Sequence, residues 1–160
     1  MAILNSRAHR TFPAPAYQLF AGLSLAARTP GLRELLARSP IGTANRIGLK
    51  RYVRLGCFDD ELLDHYVGAF DETGGRRRYV RFLDGYEVRE RPELVAGLGR
   101  ITCPTAVIWG DRDPYIPFTI AEDLVARLPR ATLTRIAGAD HYVMEERPDE
   151  VTAALLAWLE

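Results

Sequence analysis

Thr105-Ala-Val-Ile-Trp-Gly-Asp-Arg-Asp-Pro114 and Ala131-Thr-Leu-Thr-Arg-Ile-Ala-Gly-Ala-Asp-His141 carry the fold of this chain. In each, an apolar and β-branched run gives way to a loop holding glycine and polar residues, which reads as a strand ending in a turn. Thr105–Trp109 is nearly continuous in apolar character, as expected for a parallel strand covered on both faces. Between the two strands, Ile120, Leu124, Val125 and Leu128 recur at helical spacing. After the second, Pro148 suits the first position of a helix whose stripe is Val151, Ala154, Leu155, Trp158 and Leu159. The order β-α-β-α predicts parallel strands joined by right-handed crossovers.

Parallel consecutive strands place their C-terminal ends on one edge of the sheet, where open α/β sheets hold their sites. The first loop offers Asp113 to that edge, and the second offers His141. A carboxylate there can accept the Nδ1–H of an imidazole, fix its tautomer and stabilise the imidazolium. A neutral imidazole is the usual general base near pH 7. An acid and then a histidine, each just past a strand, is how the later two members of a nucleophile–acid–histidine triad are presented. Asp111 rivals Asp113, since it lies nearer the strand end and would also serve to cap the turn. His9, in a loop, and His65, on a helical stretch, lack this setting.

Outward from these strands the chain falls into three zones. Residues 1–12 open with the apolar run Ala2-Ile3-Leu4, a short buried strand meeting a loop at Asn5-Ser6. Residues 13–98 read as helices and turns. One helix runs from about Tyr17 to Arg28 and stops at Thr29-Pro30-Gly31, and a second spans Leu32 to Ala37 before Ser39-Pro40. Asp59-Asp60-Glu61 suits a helix start. The stripe Leu62, Leu63, Tyr66, Val67 and Phe70 follows, ended by Gly74-Gly75, with Tyr79, Phe82 and Leu83 on a further helix. Arg76-Arg77-Arg78 reads as a solvated helix start. Residues 99–160 are the alternating strand-and-helix zone.

A formal net charge of zero leaves no electrostatic footprint for nucleic acid. No stretch approaches the roughly 18 apolar residues of a membrane span, and Met1-Ala-Ile-Leu-Asn5 does not read as a signal peptide. Cys57 and Cys103 form no CxxC and read as free thiols in a reducing compartment, with the cytoplasm the expected location. No metal-ligand spacing or phosphate-cradling glycine loop occurs, so neither metal nor cofactor is expected. Trp109 and Trp158 fall on strand and helix core positions and read as packing.

A nucleophile is harder to find. Serine occurs only at positions 6, 24 and 39. Gly22-Leu-Ser24-Leu-Ala26 approaches G-x-S-x-G, but the residues before it do not read as the strand that a nucleophile elbow requires. Cys57 follows Gly56 without an elbow, and no aspartate sits in one.

The last 60 or so residues resemble the C-terminal part of the α/β-hydrolase superfamily. A strand ends in G-x-x-D-P, here Gly110 to Pro114, and a later one in G-x-x-H, here Gly138 to His141. An E-x-P, Glu146-Arg147-Pro148, precedes the final helix. This implies an α/β fold, with Asp113 as the triad acid and His141 as the base. Residues 1–98 resemble the segment after the nucleophile in the haloalkane dehalogenase and epoxide hydrolase branch. Ile3-Leu4-Asn5-Ser6 is similar to the strand leading into that branch's helical cap, and 13–98 to the cap itself.

The N-terminal strands, the His-Gly oxyanion loop and the elbow of such enzymes have no counterpart here. The resemblance thus implies the latter, truncated part of a hydrolase in which an aspartate or serine nucleophile forms a covalent ester with a small apolar substrate. Carbon–halogen hydrolysis is the first expectation, and epoxide or ester hydrolysis the alternative. Cap tyrosines protonate the opening ring in epoxide hydrolases; Tyr17, Tyr52, Tyr66, Tyr79 and Tyr86 fall in the corresponding zone. A chain without the elbow is expected to be inactive alone. Two further readings are a non-catalytic or split-hydrolase chain acting through a partner, the apolar edge of the Ala2–Leu4 strand inviting pairing with another chain or self-association, and a small binding domain retaining Asp113 and His141 as polar contacts.

Overall fold

The computed structural model describes residues 1–6, 14–87 and 91–160, with the side chains of 14–17 outside the description. His9 and Pro13 therefore lie outside the described residues, as does the side chain of Tyr17. The chain divides into two units, one of Met1–Ala16 with Arg89–Glu160 and one of Tyr17–Val88.

The first unit is built on a parallel sheet in the order β1-β2-β3, formed by Ala2–Leu4, Thr105–Gly110 and Ala131–Ile136. Leu4 lies opposite Ile108, and Gly110 lies opposite Ile136. Every residue of β2 is buried, which is why its sequence shows no polar alternation. Its side chains alternate between two cores. Val107 and Trp109 pack with Ile120, Ala121 and Leu124 of the Phe118–Arg127 helix (here α7). Ala106 and Ile108 pack with Ile136, Val143 and Val151, the last on the helix Pro148–Leu159 (α9). Trp109 is fully buried and donates its indole N–H to Ile116 O at 3.2 Å, and Trp158 packs against the second core. Leu159 departs from the expected stripe. It is 70% exposed, because α9 ends there and the packed face stops at Trp158.

The same unit holds two short helices, α6 at Pro92–Gly97 and α8 at Val143–Glu146. A 3₁₀ turn at Leu98–Arg100 follows α6.

The second unit is helical. It comprises α1 (Ala14–Arg28), α2 (Pro30–Arg38), α3 (Ile41–Arg54), α4 (Asp60–Val67) and α5 (Thr73–Gly85). A core of Ala27, Ala37, Ile41, Val80 and Leu83 joins α1, α2, α3 and α5. Asp59 caps α4, its Oδ1 accepting from Leu62 N at 2.7 Å.

Two local expectations change, and one helix goes unannounced. Pro30 does not merely stop a helix; it opens α2 at the position where its missing N–H costs nothing. The stretch through α3 is polar and holds Gly42 and Gly48, so no apolar stripe announces the helix. Gly74-Gly75 does not end α4, which gives way at Gly68 to a 3₁₀ turn over Gly68–Asp71. Gly75 lies buried within α5, and a Cβ there would sit 1.6 Å from Ala69 O. Glycine lets the turn lie directly on the helix.

Arg76 also departs from the solvated reading of its run. It is half-buried and donates to the carbonyls of Ala37 and Phe70, each at 3.2 Å, and to that of Asp71. Arg77 and Arg78 are exposed, as the run suggests. Among the described residues no helix is long and apolar enough to cross a membrane.

Candidate active site at the C-terminal edge of the sheet

The strand ends determine what meets at this edge. β2 leaves the sheet at Gly110 and turns through Asp111 to Asp113. β3 leaves at Ile136 and turns at Gly138, whose φ of +75° is the left-handed backbone that favours glycine. The two exits cross closely. A Cβ on Gly110 would lie 2.5 Å from Asp140 O and 2.6 Å from Ala139 O. Only a residue without a side chain lets the loop carrying His141 settle against the end of β2.

That approach brings Asp113 and His141 together, with His141 Nδ1 2.8 Å from Asp113 Oδ2. The Asp113 side chain is fully buried, whereas that of His141 is 27% exposed. Asp113 Oδ1 accepts from the N–H groups of Tyr115 at 2.7 Å and Ile116 at 2.9 Å, an Asx-type turn that Pro114 preorganises. Burial pushes the Asp113 carboxyl upward. The bonds from His141, Asn5 and the Ile116 N–H outweigh that and hold it below the usual carboxylate range. His141 is flanked edge-on by Tyr115 and Tyr142, at centroid distances of 5.1 and 5.3 Å. Burial, and then Tyr115, push the Tyr142 hydroxyl upward.

Asp111 is employed elsewhere. Its Oδ2 takes Arg135 Nε at 2.7 Å and its Oδ1 takes Gly138 N at 2.7 Å, so both its oxygens are engaged in fastening the β3 exit. The bond from Arg135, and then that from Gly138, hold its carboxyl low. Glu146, of the E-x-P motif, accepts Asp140 N at 2.6 Å, and Asp140 Oδ1 in turn accepts His141 N at 2.6 Å. Asp140 and Glu146 thus fix the backbone that presents the imidazole.

Asn5 is the residue that sequence reasoning missed. It stands at the end of β1, buried, and its φ is +30°. Its Nδ2 donates to Asp113 Oδ2 at 2.8 Å and its Oδ1 accepts Gly110 N at 2.8 Å. The available signal was an amide side chain just past an apolar strand, at a position compatible with left-handed backbone.

Ser24 does not form an elbow. It lies within α1, buried, its hydroxyl donating to Tyr86 O at 3.1 Å. Cys57 is half-buried and Cys103 exposed. Tyr52 is fully buried, while Tyr66, Tyr79 and Tyr86 are half-buried. His65 is exposed on α4. Among the described residues no group of three or more histidine, cysteine or acidic side chains is placed to hold a metal ion.

A parallel sheet whose adjacent strand ends bring a buried aspartate onto a histidine has the architecture of the α/β-hydrolase core. The chain belongs to the alpha/beta hydrolase family, whose model matches residues 2–154. It is 36% identical over 135 residues to epoxide hydrolase A of Mycobacterium tuberculosis, covering 78% of this chain and 38% of that one. It is 38% identical over 103 residues to haloalkane dehalogenase 2 of Mycobacterium bovis, covering 59% of this chain and 35% of that one. In structure it is similar to a thermophilic esterase from Thermogutta terrifontis, with a TM-score of 0.65 and 20% identity over 99% of this chain and 54% of that one. The chain thus spans well under two thirds of each of these proteins.

Proposed function

We propose that the chain supplies the acid and the base of a hydrolytic site acting through a covalent ester, with Asp113 orienting His141. The contact between His141 Nδ1 and Asp113 Oδ2 carries this reading. With Nδ1 committed to the carboxylate, Nε2 is the nitrogen left to take a proton from water. A nucleophilic carboxylate attacks the substrate carbon and displaces halide, or opens an epoxide whose freed oxygen takes a proton from a hydroxyl donor, leaving an ester in either case. His141 then deprotonates the water that cleaves this ester and regenerates the carboxylate. The imidazolium is stabilised by Asp113 until its proton passes to solvent.

A small, largely apolar haloalkane is the first substrate class. The broader match to epoxide hydrolase A makes an epoxide the direct competitor. In this reading the helical unit serves as the cap that the resemblance implies.

No described residue forms a nucleophile elbow, so the nucleophile comes from a further strand. Here β1 favours a specific arrangement. It pairs with β2 on one side, and among the described residues no strand covers its other side. We assign that edge to a strand bearing the nucleophile, in the same polypeptide or in a partner.

The test begins with the native protein from its source cells. Its mass is measured, and it is assayed with a haloalkane, an epoxide and an aryl ester. Replacing His141 by Gln should stop ester hydrolysis and leave a covalent adduct, which mass spectrometry of peptides would locate. Turnover undiminished in His141→Gln would sink the reading. Turnover by the isolated 160-residue chain, lost in both His141→Ala and Ser24→Ala, would move the nucleophile to Ser24. A stable, active monomer of 17.9 kDa would remove the second strand.

A further inference from the structure

Asn5 lies 108 residues from Asp113 in sequence, yet its amide spans the site. One end accepts the Gly110 N–H, which anchors the last residue of β2. The other donates to Asp113 Oδ2, the same oxygen that meets His141 Nδ1, and reaches Asp140 O at 3.4 Å. Oδ1 of Asp113 is meanwhile held by the N–H groups of Tyr115 and Ile116. Both carboxylate oxygens are therefore fixed, and the carboxylate cannot rotate without breaking a bond. A buried carboxylate left without donors favours its protonated form, and a protonated Asp113 would no longer accept Nδ1–H. The backbone of Asn5 is unfavourable for a residue with a Cβ. The position thus keeps a side chain where glycine would fit the backbone better.

We propose that Asn5 is a positioning residue that orients Asp113 Oδ2 toward His141 and thereby sets which imidazole nitrogen carries the proton. This rests on Asp113 and His141 acting as a pair. Among the described residues, the charged and titratable groups around Asn5 and the pair are Asp113 on the β2 loop, and Asp140 and His141 on the β3 loop. Glu146 stands behind Asp140, and Tyr115 and Tyr142 flank the imidazole. Asn5 is neutral, so it acts by donation and geometry and not by adding charge.

The experiment is ¹⁵N NMR of the histidine rings in the 160-residue chain, with His141 assigned through His141→Gln. In the unaltered chain at neutral pH, His141 should be the Nδ1–H tautomer with a downfield Nδ1 proton. Asn5→Gly removes the amide while suiting the left-handed backbone. It should shift His141 mainly to the Nε2–H tautomer, with loss of the downfield proton, in a chain whose backbone amide spectrum stays dispersed. Asn5→Asp keeps the shape and the Oδ1 acceptor but sets two carboxylates against each other. They should share one proton, which competes with His141 Nδ1–H for Asp113 Oδ2, so the downfield Nδ1 proton should be lost.

Asp113→Asn separates this proposal from its parent. If Asp113→Asn leaves the His141 tautomer unchanged, the Asp113–His141 reading fails. If it changes the tautomer while Asn5→Gly does not, the role of Asn5 is overturned and the pair stands. Should Asn5→Gly not fold, an unaltered downfield Nδ1 proton in Asn5→Asp overturns it.

Discussion

Gly110 and Asp140 approach so closely that a methyl group on the glycine would lie 2.5 Å from the aspartate's carbonyl oxygen. This backbone contact, made where two parallel strands leave the sheet, brings the loop of His141 within hydrogen-bonding reach of Asp113.

Gly110→Ala should therefore act on both stability and the site. The obstructing atoms are backbone carbonyls that cannot swing aside, so overpacking of about 1–3 kcal/mol is expected. Urea unfolding measures the stability loss. Weakening of the His141 Nδ1–H signal in NMR measures the accompanying displacement of the loop.

The lowered Asp113 carboxyl predicts a pH dependence of stability. The unfolded chain binds this proton at about pH 3.9, whereas the folded chain holds it off until a lower pH. The stabilisation is therefore complete above the unfolded value and is lost as pH falls through the folded one. Asp113→Asn should be less stable than the unaltered chain at pH 7, with the gap closing as pH drops below about 3.9. Denaturation curves at several pH values check this, and a gap that widens toward acid would contradict it.

Two aspartates share the β2 loop, and they should separate cleanly. Asp111→Asn loses ion pairing with Arg135 but should leave the His141 tautomer unchanged. Asp113→Asn should abolish the Nδ1–H tautomer. In an active enzyme built on this pair, Asp113→Asn should lower kcat on the order of 10⁴-fold. Ring ¹⁵N shifts and steady-state rates provide the two readings.

Within the helical unit, Arg76 should matter more than its neighbours. Arg76→Ala leaves the carbonyls of Ala37 and Phe70 without their guanidinium donor. A loss of about 1–3 kcal/mol is expected. Arg78→Ala, at an exposed position, should stay within about 0.5 kcal/mol. Urea midpoints of the two variants give the comparison.

The sequence by itself determined the β2–α7–β3–α9 core. Hydrophobic patterning is a local property, and the nearly continuous apolar and β-branched run Thr105–Trp109, bounded by Pro104 and Gly110, reads as a parallel strand covered on both faces. It also placed Asp113 and His141 on one edge, because successive parallel strands must end on the same side. The strand pattern alone left Asp111 as a rival, and only the resemblance of Gly110 to Pro114 pointed to Asp113. Both follow the same strand, and only the turn geometry aims one at Arg135 and the other at His141. The sequence could not find Asn5, which joins Gly110 and Asp113 across more than a hundred residues, or separate Arg76 from the two arginines beside it. Those assignments depend on hydrogen bonds between segments distant in the chain. Such bonds follow the three-dimensional approach of particular atoms and leave no period in the sequence, so tertiary packing alone decided them.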